Sequence, residues 1–155
     1  MATYSEHMQE LVREYQAAGK KWPASTRDIA QWAVDQGKWK PQPSAVVSQC
    51  ADHLARAMRD EHVTDPQGRR IRTKHAATYG QGSEQFVLWD DIRTASHEHM
   101  KLALQQRRVQ ILGDCKQLKA DGDSYNENRK PTEPIQIVFD FTLDLEELEL
   151  AKRAA

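Results

Sequence analysis

The stretch Glu61-His62-Val63-Thr64-Asp65-Pro66-Gln67-Gly68-Arg69-Arg70-Ile71-Arg72 switches the chain from a helical to an alternating period. His62-Val63-Thr64 reads as a short strand. Asp65-Pro66-Gln67-Gly68 places Pro second and Gly fourth, which suits a type I turn. Arg69 to Thr78 then alternates as a returning strand. Arg69, Arg70, Arg72 and Lys74 set four positive charges within six residues and no acid among them. On one strand Arg70, Arg72 and Lys74 share a face, because side chains repeat every second residue.

Upstream, the pattern is helical. Glu6 to Ala18 carries Met8, Leu11 and Tyr15 on one side, and Gly19 suits the left-handed residue that closes a helix. After Pro23, Ser25 or Thr26 caps a second helix, with Asp28 in its first turn and an Ile29–Ala33 pair beside Trp32. Gly37 ends it. Pro41 and Pro43 forbid helix over Lys38 to Pro43. Ser44 is then expected to cap a third helix running to about Asp60. Its buried stripe is predicted as Val47, Ala51 or Cys50, Leu54 and Met58. Its outer face carries Ser44, Ser48, Gln49, Asp52, Arg56 and Arg59.

Downstream, Tyr79 to Ser83 is a loop and Phe86 to Trp89 a short strand. From about Asp91 a helical period persists to about Asn126. Met100, Leu104, Ile111, Cys115, Leu118 and Tyr125 form one stripe, and Leu102, Val109 and Leu112 a second. A helix with two apolar faces needs two partners, most simply its own domain and a second copy of the chain. Gly113 and Gly122 weaken it. Asn128 to Pro134 is a linker by composition. Ile135, Ile137, Phe139 and Phe141 alternate as on a strand, and Thr142 caps a last acidic helix bearing Leu145 and Leu148. The expected organisation is a domain over 5–90, a long helix over 91–128, and a linker with an acidic apolar tail over 129–155.

The chain has 155 residues and a formal net charge of −1. That value hides an asymmetry: residues 1–130 sum to +3 and residues 131–155 to −4. No apolar run approaches the roughly 20 residues a bilayer span needs, so no membrane partner is expected. The opening MATYSEHMQELV lacks a secretory pattern, which makes a cytoplasmic location the expectation. Cys50 and Cys115 belong to no CxxC pair and read as buried thiols. Trp22, Trp32, Trp39 and Trp89 read as core and interface filler. His97 and His99 are i,i+2 neighbours and point apart on a helix, so no metal site is expected. There is no glycine-rich phosphate loop, nucleophile elbow or paired-carboxylate motif. The expectation is therefore no enzyme and no cofactor.

Three helices followed by the D-x-x-G-R hairpin of Asp65 to Arg69 and its basic strand resemble the winged helix-turn-helix superfamily of bacterial regulators over residues 5–89. The resemblance implies a mainly α fold with a small β-hairpin wing, extended here by a long C-terminal dimerisation helix. It implies double-stranded DNA as partner, a homodimer, and transcription regulation. It places Gln42, Ser44, Ser48 and Gln49 at the leading end of the reading helix, where base edges are met in the major groove. Arg56 and Arg59 are then phosphate contacts. Arg69, Arg70, Arg72 and Lys74 form a ridge along the backbone or minor groove. A second reading from a different class makes the domain a protein-interaction or scaffold module, recruiting a partner through residues 135–150.

Overall fold

The structure is a computed structural model and describes residues 1–154, with the side chains of residues 153 and 154 left aside. The chain is mainly helical, with two small antiparallel hairpins and one long helix. It divides into two compact units, Met1–Ala55 and Arg56–Ala155.

In the first unit, helix α1 spans Tyr4–Ala17 and helix α2 spans Thr26–Asp35. Thr3 and Glu6 form a reciprocal capping box at the start of α1. Ser25 caps α2 by accepting from the Asp28 N–H at 3.0 Å. At the end of α2, Gly37 adopts φ +67°, and the Lys38 N–H reaches back to the Ala33 carbonyl at 2.8 Å. That six-to-one bond needs a left-handed residue, which glycine supplies without strain. The two helices bury Leu11, Tyr15 and Ala33. Tyr15 meets Trp32 edge-on, with centroids 5.5 Å apart and planes at 85°. Trp39 donates its indole N–H to the Tyr4 hydroxyl at 2.9 Å. Lys38 pairs with Glu14 at 2.7 Å.

Helix α3 spans Val46–Asp60, and the boundary between the units falls within it. Ser44 does not cap it. The prolines impose a 3-10 turn over Pro43–Ala45, and α3 begins only after Ser44. The predicted buried stripe is also not buried: Val47 is 80% exposed and Leu54 57%, with Met58 alone half-covered. Cys50 is exposed and Cys115 half-buried, contrary to the expected buried thiols. Trp22 is exposed rather than core, whereas Trp32, Trp39 and Trp89 are half-buried.

The second unit opens with a hairpin of β1, His62–Thr64, and β2, Arg70–Arg72, in the register Val63↔Ile71. The predicted turn closes it: the Gly68 N–H donates to the Asp65 carbonyl at 2.9 Å, and Gly68 sits at φ +85°. The single returning strand expected over Arg69 to Thr78 is interrupted at Thr73. Its N–H pairs back to the Glu61 carbonyl at 3.1 Å, while its carbonyl accepts from the Ile92 N–H at 2.9 Å. The chain thereby changes partners. Strand β3, Lys74–Tyr79, belongs to a second two-stranded sheet with β4, Phe86–Asp91.

Helix α4 spans His97–Arg129 and starts six residues later than Asp91. Asp91 ends β4 and binds Arg93, and Ser96 is the true cap, accepting from the His99 N–H at 3.1 Å. Two contacts dock α4 on β3. His99, buried, accepts from or donates to the Tyr79 hydroxyl at 2.7 Å and the His75 carbonyl at 2.9 Å. Since a carbonyl only accepts, Nε2 carries the proton and Nδ1 accepts from Tyr79. Gln106 accepts from the Thr78 N–H at 2.7 Å and donates to its carbonyl at 2.9 Å.

Residues 135–141 form no strand ladder. They run extended and antiparallel along α4, anchored by Asn126, which exchanges two hydrogen bonds with the Ile135 backbone at 2.8 and 2.9 Å. Gly122 allows the close approach: a Cβ there would stand 2.9 Å from Ile137 Cδ1. Helix α5 spans Thr142–Ala154.

Candidate nucleic-acid interface

Asp65 organises the hairpin tip. Its carboxylate accepts from the backbone N–H groups of Gln67, 3.1 Å, and Arg69, 2.8 Å, and from Arg69 Nε at 2.8 Å. The Arg69 backbone bond, reinforced by the guanidinium, holds the Asp65 carboxyl below the usual carboxylate range. Arg69 is thus partly neutralised, although its side chain stays 71% exposed.

Lys74 does not join the ridge predicted for it. The break at Thr73 puts it in the second sheet, where its ammonium lies 3.6 Å from Glu61 and 3.7 Å from Asp91. Two acids distant in sequence, brought beside it by strand pairing, neutralise it. Asp91 also accepts both guanidinium and backbone N–H bonds from Arg93, and these hold its carboxyl far below the ordinary range.

Arg70 is exposed and Arg72 half-buried, and among the described residues neither has a carboxylate within ion-pair distance. Arg107, exposed on α4 about two turns beyond His99, is drawn below its ordinary value by partial desolvation and by the positive charge of Arg72. Sequence reasoning missed Arg107 because it treated α4 only as an apolar stripe. The tandem Arg107-Arg108 was the available signal.

On α3 the residues predicted for the outer face lie on one arc, but the opposite face is largely exposed as well. Ser48, Gln49, Asp52, Arg56 and Arg59 fall within roughly 100° of the helix circumference, given about 100° per residue. All five are exposed. Gln42 and Ser44 lie before the helix, the first preceding the 3-10 turn and the second within it, and are exposed as well. Among the described residues no three metal-ligating side chains come together, and no helix is long and apolar enough to cross a membrane.

Comparison with protein-family models, with characterised proteins and with solved structures finds no match to this chain.

Proposed function

We propose that the chain binds double-stranded DNA in a sequence-specific manner, as a homodimeric transcription regulator built on the winged helix-turn-helix plan. The observation that carries this reading is that Arg70 and Arg72, on one strand, have no carboxylate within ion-pair distance among the described residues. Arg70 and Arg72 share one face of β2, and like charges held that close repel one another. A polyanion relieves that repulsion, and phosphate is the acceptor that guanidinium matches in geometry. The hairpin is the phosphate-binding arm in this reading, with Arg69 braced by Asp65. The Ser48–Gln49 end of α3 reads bases, and Arg56 and Arg59 meet phosphates.

Titration of the full chain with mixed genomic duplex fragments at two salt concentrations tests the proposal. The expected result is binding that weakens steeply as salt rises. Binding weaker than millimolar at low salt, or affinity independent of salt, contradicts it.

A further inference from the structure

Helix α5 is amphiphilic on two sides. Leu145 and Leu148 form one ridge flanked by Asp144 and Glu149. Leu143 and Leu150 form another flanked by Glu146 and Glu147. All four leucines are 59% to 70% exposed. A helix of 13 residues is marginal in water unless an apolar face is covered. The same unit offers an open groove of opposite character. Residues 135–141 and α4 enclose about 420 Å³ between Ile111, Leu112, Cys115, Phe139 and Phe141, with Arg108, Lys116 and Lys119 on the rim. Lys119 already pairs with Asp123 at 2.6 Å. Arg108 and Lys116 have no acid within ion-pair distance among the described residues.

The two surfaces match in polarity and length. The α4 rim from Arg108 to Lys119 is about 17 Å long at 1.5 Å per residue, and Leu143 to Leu150 spans about 11 Å. We propose that α5 of one copy seats in this groove of a second copy, with leucines on the apolar floor and the acids against Arg108 and Lys116. The contact is reciprocal, as two-fold symmetry requires, so each chain gives one helix and receives one. This inference rests on the dimeric part of the reading above and is independent of DNA binding.

Sedimentation equilibrium of the full chain, free of DNA, tests it. Wild type is expected to dimerise. Arg108→Glu with Lys116→Glu should raise the dimer dissociation constant by about a hundredfold or more, since like charges then face each other. Adding Asp144→Lys and Glu149→Lys to that same chain should recover most of the loss. Recovery separates charge pairing from misfolding, which a second pair of substitutions would not repair. A Cys50→Ser, Leu145→Cys chain gives a further readout: mild oxidation should join Cys115 to the new thiol between chains, giving a covalent dimer. A wild type that is monomeric at every concentration overturns both this seat and the dimeric reading. A dimer indifferent to the rim substitutions, or a disulfide formed within one chain, overturns the seat alone.

Discussion

Asp65 holds Arg69 at 2.8 Å across the hairpin turn, and by doing so separates the basic residues of the arm into two kinds. Arg69 is part of the turn. Arg70 and Arg72, on β2, have no carboxylate within ion-pair distance among the described residues. The proposed division of labour follows: β2 supplies charge that any duplex sequence satisfies, while the leading end of α3 supplies hydrogen-bonding groups that discriminate between bases.

That division predicts different behaviour for two sets of substitutions. Arg70→Ala with Arg72→Ala should weaken binding by a similar factor on every duplex. Gln49→Ala should change the ranking of sequences, with about 1–3 kcal/mol lost at the affected base pair. Competition binding against a panel of duplexes reads both. Equal effects of the two variants on all sequences would contradict the assignment.

Acid titration should reveal the turn and strand-end carboxylates. Asp65 and Asp91 are both held below their ordinary values, Asp65 chiefly by the Arg69 N–H and Asp91 chiefly by the Arg93 side chain. Their stabilisation is therefore complete above the unfolded-state value of about 4 and is lost as pH falls through the lowered folded-state values. Asp91→Asn should lower the melting temperature at neutral pH, and the gap to wild type should narrow on acidification below about pH 4. Thermal melts across a pH series check this. A gap that widens toward acid would contradict it.

Gln106, with His99, ties α4 to the second sheet. Gln106→Ala leaves the half-buried Thr78 N–H and carbonyl without partners, and should cost about 1–3 kcal/mol. In a chain of this size that is a fall in Tm of a few degrees. Chemical denaturation of wild type and variant measures it, and an unchanged midpoint would mean that other contacts fix the helix.

Thr73 offers the opposite sign. It is the largest fully buried side chain among the described residues, and its hydroxyl has no hydrogen-bond partner among them. Thr73→Val keeps the β-branched shape and removes the orphaned polar group, so the variant should be more stable by about 1 kcal/mol. Chemical denaturation checks this as well. A less stable variant would mean that the hydroxyl is satisfied in solution.

These features differ in how far the sequence reveals them. The ends of α1 and α2, the Asp65–Gly68 turn and the long α4 were legible, because caps, prolines and glycines act through local backbone geometry. The change of sheet at Thr73 was not. Alternation continues unbroken from Arg69 to Thr78, and only the distant partners Glu61 and Ile92 divide it. Lys74 followed the same error, since its two acids become neighbours through strand pairing. The exposed face of α3 and the extended 135–141 segment show the converse limit. Periodicity marks a face as apolar, but what covers that face is decided by chain elsewhere or by another molecule. Arg107 lies 35 residues from Arg72, and in the sequence only the tandem Arg107-Arg108 marks it.

The salt dependence of duplex binding by wild type and by an Arg70→Ala, Arg72→Ala, Arg107→Ala chain bears most directly on the arginine arm. Each phosphate contact contributes roughly −0.9 to the slope of log affinity against log salt, so three lost contacts should make the slope shallower by about 2.7. Identical slopes for the two proteins would show that these arginines do not face a polyanion, and would contradict the assignment of the hairpin as a DNA-binding arm.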